Sequence, residues 1–518
     1  PDPAVVTRTL QLAHDLGVRY VRMQIPWEDI EIHGRGDFTD RRNVDSIGEV
    51  SAWAKYDRIV ALANELDLEL VMRVDRAPMW ASEFFKNLPA FQEGLQIAPT
   101  STGPPDDFVD FYNFMYTLVE RYRGQVRFFQ IWNEPNLLNE WNWQTPNPRD
   151  FVTLQCFGYY AANDANPDAV VLFPSLAPTD GLDKRAPLTD LEFLEQFYRD
   201  GGGDCFDIMS AQAYGLGQPP DEHRYVRLRM PDDWVWSRPI DTRVDVSRVV
   251  LLREVMERHG DADKAIWIGE FGWNSAPETI PPERRFTWGP PVSEEVKAQY
   301  IIDQVERAKR EWPWMGVMHI WMLRQGGYLE PDPNDPTPYF ALVTRDWTRL
   351  PAYTRLQEYL NQPTVAGVGA HTWEHPAVTA LPDGRQLRFT GSRVTLIGGL
   401  NPGPEQVTLD GRPVTLEVQR TAMGEPALQL AGLADRTHTL VIRAPGEALP
   451  ERFVIGRDRP LPGFWVAAPA LLIGLLLLSG VATMQAFFGV ADAALARSAP
   501  GRMGLRPWLG TPAGERML

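Results

Sequence analysis

Hydrophobic positions in the first 360 residues follow two alternating patterns. Continuous apolar runs, which predict buried strands, lie at about residues 18–25, 68–74, 126–133, 170–173, 208–213, 265–269 and 316–322. Apolar residues at helical spacing lie at about residues 4–16, 52–66, 106–122, 150–164, 190–199, 245–259 and 293–311. Buried strands that alternate with amphipathic helices are typical of a parallel sheet covered by helices.

This alternation predicts an α/β fold, and more narrowly a (β/α)8 TIM barrel over residues 1–362. Seven strands can be counted and the chain opens on a helix, so the first strand would be missing upstream of Pro1. Since the chain begins without methionine, we expect its true start to lie upstream. A doubly wound open sheet would also explain seven strands, but no glycine-rich phosphate fingerprint follows the earliest one.

The pattern changes near residue 371. Short alternating segments separated by glycine, proline and Asp-Gly turns predict a small all-β sandwich over residues 371–446. Its Phe-x-Gly and Asp-Gly features resemble galactose-binding-like modules, and a structural spacer is the alternative interpretation. The sequence of this region therefore predicts no particular ligand.

A segment without charged residues, 460–491, follows the predicted sandwich. Leu471 to Leu478 is nearly continuous leucine, which predicts a transmembrane helix over residues 465–488 and a short tail over 489–518. Arginines flank both sides, with four in the tail, and this distribution favours a cytoplasmic tail. We therefore predict a membrane-anchored protein with an extracytoplasmic catalytic domain.

Composition excludes several kinds of partner. The 68 acidic residues outnumber the 51 basic ones, giving a net charge of −17, which argues against nucleic acid because phosphate contacts need clustered cations. No histidine spacing typical of a metal site occurs, so neither a metal nor a cofactor is predicted.

The two cysteines, Cys156 and Cys205, are predicted to be buried free thiols, with a single disulfide as the alternative.

Two of the predicted strands end in a glutamate. Glu134 follows the run 126–133 and Glu270 follows the run 265–269, so in a barrel both carboxyls would project into the same mouth. Glycoside cleavage needs one protonated carboxyl and one carboxylate on opposite sides of the anomeric carbon. The pair therefore predicts an enzyme that acts on a carbohydrate substrate.

Several predicted loops at this end of the barrel are aromatic, which suits the apolar faces of sugar rings, although packing explains each residue equally well. They contain Trp80, Phe84, Phe85, Trp141, Trp143, Trp234, Trp236, Trp273 and Trp288.

The segments Trp132-Asn133-Glu134-Pro135-Asn136 and Gly269-Glu270-Phe271-Gly272-Trp273 resemble clan A of the glycoside hydrolases, especially families 39 and 5. The resemblance covers the barrel portion, from Pro1 to about Gln362. It implies a retaining mechanism in which Glu134 is the acid/base and Glu270 is the nucleophile. No cofactor is implied.

The same resemblance implies four further substrate-site residues. Asn133 would bind the sugar 2-hydroxyl, Arg22 would lie beside the nucleophile, Tyr214 would bind the nucleophile, and Trp321 would form the aromatic platform. Clan members often carry histidine two residues before the tyrosine, where this chain has Gln212. Glutamine binds hydroxyls but does not titrate, so substrate contacts are expected to differ there.

These observations predict a membrane-anchored retaining glycosidase that cleaves O-glycosidic bonds of an oligo- or polysaccharide. Three alternatives stay open: a carbohydrate-binding protein on a degenerate barrel, a transglycosylase of cell-envelope polymer, and a non-enzymatic membrane scaffold. The scaffold leaves both strand-end glutamates unexplained.

Overall fold

The structure is a computed structural model that describes residues 2–82, 103–179, 181, 187–221, 244–326, 332–398, 406–421, 424–443, 450–458 and 464–498. For residues 464–468 and 492–498 only the backbone is described.

Seven parallel strands form the first part of the described chain, as the apolar runs predicted. They are β1 (Tyr20–Pro26), β2 (Glu69–Asp75), β3 (Phe128–Ile131), β4 (Val170–Leu172), β5 (Met209–Gln212), β6 (Ile266–Phe271) and β7 (Met315–Ile320). A short antiparallel pair, Thr39–Asp40 with Val50–Ser51, lies between β1 and β2.

Eight longer helices accompany these strands within the described ranges. They are α1 (Pro3–Leu16), α2 (Ala54–Glu65), α3 (Phe108–Arg121), α4 (Pro148–Ala165), α5 (Asp190–Arg199), α6 (Arg248–Arg258), α7 (Glu294–Glu311) and α8 (Pro351–Leu360). Short helices also occur at Val44–Ile47 and Pro282–Arg285. Side-chain caps start several of the longer ones: Asn147 accepts from the N–H of Arg149 at α4, and Thr189 and Glu192 form a capping box at α5.

The seven strands form two parallel sheets, β1-β2-β3-β4 and β5-β6-β7. A single parallel bridge, Leu172 with Ile208, connects β4 to the residue before β5. β1 and β7 are the outermost strands, and the hydrogen bonds of the described residues do not close a barrel between them. The closed eight-stranded barrel therefore stays a prediction.

A cavity of about 980 Å³ lies along β1, β7 and α1. Its wall includes Val6 and Leu10 of α1, Val21 and Met23 of β1, and Val317 of β7. We call this cavity the β1–β7 seam. It is bounded by the outermost strand of each sheet.

Ten further strands lie between residues 369 and 456. They are β8 (Gly369–Thr372), β9 (Val378–Leu381), β10 (Gly384–Gly391), β11 (Arg393–Ile397), β12 (Val407–Leu409), β13 (Arg412–Pro413), β14 (Glu417–Arg420), β15 (Pro426–Leu430), β16 (Arg436–Arg443) and β17 (Arg452–Gly456).

These strands form two antiparallel sheets, in the orders β8-β17-β11-β15-β14 and β9-β10-β16-β12-β13. Alternate residues of both sheets are buried, among them Leu387 and Leu440 in one and Leu396 and Phe453 in the other. This alternation gives each sheet one inner face, as in a sandwich.

Cys156 and Cys205 form a disulfide, so the prediction of free thiols is wrong. Cys156 lies in α4, and Cys205 ends the 3-10 turn Gly202–Cys205 that follows α5. Packing of α4 against this turn brings the two Cα atoms to 4.9 Å, although 49 positions separate them in sequence. The bond is thus a product of tertiary packing that residue spacing does not reveal.

The last described element is α9 (Phe464–Ser498), which belongs to a compact unit separate from the one that holds the strands. Its segment Pro469–Ala491 has 23 residues and a mean hydropathy of 2.0, and none of that stretch is buried. This segment is a candidate membrane span by length and composition, and it overlaps the predicted span of 465–488.

Candidate active site

Inward-pointing side chains of the parallel strands change character along the strand direction. Alternate residues of a strand lie on the same face. Near the strand starts, Val71, Phe128 and Trp267 form a small apolar cluster. Two residues further along β2 and β3 come Arg73 and Gln130, so the polar layer lies towards the carboxyl ends of the strands, where sites of parallel α/β folds are found.

Glu270, in β6, is buried and both of its carboxyl oxygens accept a hydrogen bond. Nη1 of Arg22 lies 2.9 Å from Oε1, and the hydroxyl of Tyr214 lies 2.8 Å from Oε2. Burial, followed by the charge of Glu270, raises the pKa of Tyr214 well above its ordinary value, so this phenol keeps its proton and donates it. Nε of Arg22 also donates to Oε1 of Gln130 at 2.8 Å, which orients the guanidinium.

Asn133 lies between the two glutamates. Its Oδ1 accepts from Nη2 of Arg22 at 3.2 Å and from Nη1 of Arg73 at 3.1 Å. Its Nδ2 therefore points the other way, where it lies 3.4 Å from Oε2 of Glu134. Arg73 also forms a 2.8 Å ion pair with Asp75, so the amide is held by a cation that is itself fixed.

Glu134 has a hydrogen-bond partner that the sequence motif does not contain. Nε2 of Gln212, at the end of β5, donates to Oε1 of Glu134 at 2.6 Å. Burial and the negative charge of Glu270 together raise the pKa of Glu134 to about 7. A carboxyl with this pKa is mostly protonated below about pH 7 and can act there as a general acid.

The backbone around Glu134 is unusual. Trp132 has φ of 62° and Glu134 has φ of 40°, both in the left-handed region. Asn136 stabilises this turn, since its side chain donates to the carbonyl of Ala177 at 2.9 Å and accepts from the N–H of Ala177 at 3.0 Å. The loop after β3 is thereby attached to the loop after β4.

Trp321 directly follows β7, and its indole is one member of an aromatic group. The ring centroids of Trp321 and Tyr214 are 6.0 Å apart, and Phe340 lies 5.2 Å from Trp321. Since Tyr214 contacts Glu270, this group borders the carboxylate. Trp321 is partly exposed.

The aromatic loop residues divide into three groups. Trp141 and Trp273 are buried and pack in the core. Trp80, Trp143 and Trp288 are at least partly exposed. Phe84, Phe85, Trp234 and Trp236 lie outside the described residues.

The structure brings all seven predicted site residues into one cluster and adds several that the motifs did not indicate. Arg73 and Gln130 orient Asn133 and Arg22, as described above. Glu140 lies in the 3-10 turn after Glu134, and burial, with the charge of Glu134 next, raises its pKa to about 8. Alternation along the strands could have indicated Arg73 and Gln130, but only with the strand register in hand.

Comparisons with known proteins give structural neighbours alone. No family model and no curated protein matches the chain. A structure of a family 39 glycoside hydrolase from Bacteroides cellulosilyticus is 16% identical, with a TM-score of 0.49, over 86% of this chain and 79% of that one.

A monomeric beta-xylosidase from Caulobacter crescentus is 15% identical, with a TM-score of 0.47, over 86% of this chain and 93% of that one. A family 5 enzyme from Bifidobacterium longum is 14% identical, with a TM-score of 0.45, over 70% and 74%. Families 39 and 5, which the sequence motifs resemble, thus both occur among the neighbours. At these TM-scores the likeness carries no argument about activity, which has to come from the residues of the site.

Proposed function

We propose that this chain is a retaining glycoside hydrolase of clan A, with Glu134 as acid/base and Glu270 as nucleophile. One observation carries the proposal: two neighbouring carboxyls have opposite environments. Arg22 and Tyr214 hold the oxygens of Glu270, whereas burial and the charge of Glu270 keep the proton on Glu134. Pairs of carboxyls with separated proton affinities are how glycosidases divide the roles of acid and nucleophile.

In the first step, an oxygen of Glu270 forms a bond to the anomeric carbon while the bond from that carbon to the glycosidic oxygen breaks. The proton of Glu134 passes to the departing oxygen, which leaves as an alcohol. Tyr214 and Arg22 keep the attacking carboxylate oriented, and Asn133 offers its Nδ2 to a sugar hydroxyl. The product is a glycosyl ester of Glu270.

In the second step, Glu134, now ionised, takes a proton from a water molecule. The water oxygen bonds to the anomeric carbon, the ester bond to Glu270 breaks, and the sugar leaves with its original configuration. Gln212 donates to the ionised carboxylate, so the residue that stands in the place of a common histidine stabilises the charge that Glu134 gains after the first step.

The barrel is proposed to have eight strands, with the additional strand in the β1–β7 seam. A right-handed crossover through α1 would place a preceding strand beside β1, on the side away from β2. Nε2 of His319 is buried near this seam and has no partner within the described residues. Slow amide exchange at both β1 and β7 would support this strand; rapid exchange there would contradict it.

The catalytic unit is proposed to lie outside the cytoplasm, attached through α9. Disulfides persist in oxidising compartments and are rare in the cytosol, so the Cys156–Cys205 bond favours the outer side. The leucines of α9 are exposed within its own unit, and a bilayer would cover them.

The test is covalent trapping with a panel of 2-deoxy-2-fluoro glycosyl fluorides of several configurations. Fluorine at position 2 slows both steps, and the good leaving group restores the first, so the glycosyl ester accumulates. Mass spectrometry is expected to find the label on the peptide that contains Glu270, and the Glu270→Gln variant is expected to stay unlabelled. A label on another peptide would overturn the nucleophile assignment.

A second measurement tests Glu134. With an aryl glycoside of low leaving-group pKa, the Glu134→Ala variant should form the glycosyl ester of Glu270. The ester should then accumulate, because the variant has no general base to activate water. Azide is expected to restore turnover and to yield a glycosyl azide of retained configuration.

Two other outcomes would favour the alternative functions. Sugar binding without any labelling or turnover would favour the carbohydrate-binding protein, and transfer to added sugar acceptors would favour the transglycosylase.

A further inference from the structure

Trp288, in the loop after β6, has no role in the steps above, yet it lies in the aromatic group beside Glu270. Its ring centroid is 5.9 Å from that of Tyr214, 6.5 Å from that of Trp321 and 5.8 Å from that of Phe340. The planes of Trp288 and Trp321 meet at 57°, so the two indoles form a corner and not a stack. Both indoles are partly exposed.

Buried groups support this corner from behind. Tyr214 and Phe340 are both buried, so they form the base on which the two indoles rest. Phe340 is itself fixed, because Nζ of the buried Lys297 donates to the carbonyls of the residues on either side of it, Tyr339 at 3.1 Å and Ala341 at 3.0 Å. The position of each indole is thus set by packing and not by exposed loop contacts alone.

The loop that carries Trp288 is locked to the loop that carries Tyr214 by two glycines. Gly217 and Gly289 have φ of 78° and 79°, which favours glycine. A Cβ on Gly217 would lie 2.2 Å from the carbonyl oxygen of Pro290, and a Cβ on Gly289 would lie 2.3 Å from that of Leu216. Only glycine at both positions lets the two backbones approach this closely, so Trp288 is held beside the tyrosine that binds the nucleophile.

We propose that Trp288 and Trp321 form a two-walled aromatic corner that binds one neutral pyranose ring next to Glu270, with Trp288 as a substrate-binding residue. The inference rests on the proposed function and extends it to the substrate class. Indole faces are electron-rich and attract the C–H groups that pyranose rings present on their apolar faces. The four rings of the group are uncharged, so the corner selects a sugar by its apolar surface.

The experiment compares Trp288→Ala and Trp288→Phe with a matched control, Trp314→Phe. Trp314 is also partly exposed and stacks on Trp312, but it precedes β7 and so lies at the opposite end of the strands. The probes are uncharged D-xylono- and D-gluconolactam, with affinity measured by calorimetry, and the fluoroglycosides described above. Melting midpoints are recorded for every variant.

For Trp288→Ala we expect about a five- to tenfold loss of lactam affinity and a similar loss in the second-order rate of labelling at Glu270. Trp288→Phe should retain part of the affinity, and the control all of it. Lactam binding should quench the tryptophan fluorescence of the native protein, and Trp288→Ala should lose much of that quench, which a merely structural residue would not cause.

The glycines supply a second comparison. Gly289→Ala and Gly260→Ala both place alanine at positive φ, but only Gly289 faces a neighbouring carbonyl, since nothing lies within 4 Å of a Cβ on Gly260. Gly289→Ala is expected to weaken lactam binding, and Gly260→Ala to leave it unchanged. Equal affinity in both variants would overturn the proposed positioning of Trp288.

The outcomes separate this inference from the proposed function. If Glu270 is labelled in the native protein and at the same rate in Trp288→Ala, the corner is overturned while the glycosidase stands. If no fluoroglycoside labels the native protein, the proposed mechanism is wrong, and the aromatic corner is then tested by lactam affinity alone. In that case, weaker lactam binding in Trp288→Ala supports the corner. Absence of lactam binding to the native protein overturns it.

Discussion

Glu134 depends on surrounding residues both for its backbone conformation and for the pKa of its carboxyl. Left-handed backbone at a residue other than glycine costs on the order of 1–3 kcal/mol and persists only where the surroundings determine it. Asn136 provides that support through two hydrogen bonds to Ala177, and the carboxyl receives its proton affinity from burial and Glu270. The motif therefore combines the proposed acid/base residue with the residue that holds its turn.

At Gln212, replacement by leucine is expected to shift the pH profile. Gln212 donates to Glu134 and thereby lowers its pKa, so removing the donor raises that pKa above about 7. Because the proposed first step requires the acid form of Glu134, the fall in kcat/KM at high pH should move to higher pH by about 0.5 to 1 unit. The measurement is kcat/KM against pH with the sugar that labels fastest.

The control for this shift is Ser175→Ala, a substitution of a buried residue whose hydroxyl pairs with Ser210 and not with a carboxyl. Its high-pH limb should coincide with that of the native protein. A limb that moves to lower pH in Gln212→Leu, or does not move, would contradict the role given to Gln212.

At this scale the sequence indicated the residues of the two motifs but not Arg73. In the run Leu68–Val74 a single arginine interrupts an apolar strand, and nothing local shows that it points inward. Register shows it, since Arg73 pairs with Gln24 and with Gln130, both also inward-pointing. Pairing between distant strands is a tertiary property, and so the orienting residues of the site could not be identified from the motifs.

Among elements, the predicted boundaries lie close to the observed ones wherever apolar periodicity is strong. The helix predicted at 190–199 is observed at Asp190–Arg199, and the strand predicted at 208–213 is observed at Met209–Gln212. The contacts that join one element to another could not be predicted from apolar periodicity. Two buried connections, an ion pair and a disulfide, both involve α5 or the turn after it.

The ion pair joins the first residue of α5, Asp190, to the first residue of α6, Arg248. Nε of Arg248 lies 2.8 Å from Oδ2 of Asp190, and both side chains are 1% exposed. Asp190→Ala leaves a buried cation without its carboxylate and is expected to lower the free energy of unfolding by about 3 to 5 kcal/mol. Urea denaturation followed by circular dichroism measures the change.

The control for Asp190 is a surface pair of the same helix, Arg199 with Glu195 at 3.0 Å, in which Arg199 is 68% exposed. Arg199→Ala should change the free energy of unfolding by no more than about 0.5 kcal/mol. Equal effects of the two substitutions would show that burial is not what makes the α5–α6 pair important.

The disulfide yields a separate expectation. Replacing Cys156 and Cys205 together by alanine removes a bond that closes a loop of about 50 residues, for which chain entropy gives a cost of about 4 kcal/mol. We expect a lower melting temperature, measured calorimetrically, and the same lower value for the native protein after reduction. A reduced protein as stable as the oxidised one would contradict this.

At the scale of the whole molecule, the described chain divides into two compact units. The described strands and helices up to residue 430, together with residues 434–443 and 450–456, form one compact unit, and residues 431–433, residues 457–458 and α9 fall in another. The long apolar helix could be predicted from sequence, because a long apolar run without charge is rare in the core of a soluble domain. The order of the strands in each sheet could not be predicted in this way, because the periodicity of apolar residues does not determine which strands pair.

A chain ending after Gly456 is expected to be water-soluble and to keep kcat/KM within about twofold of the full chain. The full chain should sediment with membranes and resist extraction at high pH, because a helix with a mean hydropathy of 2.0 over 23 residues favours the bilayer. Ultracentrifugation of both forms measures this. Equal amounts of the two forms in the soluble fraction would exclude a membrane anchor.

The β1–β7 seam has a consequence for how the protein behaves in concentrated solution. An uncovered parallel edge offers a row of backbone donors and acceptors to any extended segment, including one from another molecule. A preparation in which the seam stays empty would present two such edges at once, and intermolecular strand addition would then compete with the monomer. The proposed additional strand would therefore protect solubility as well as the shape of the site.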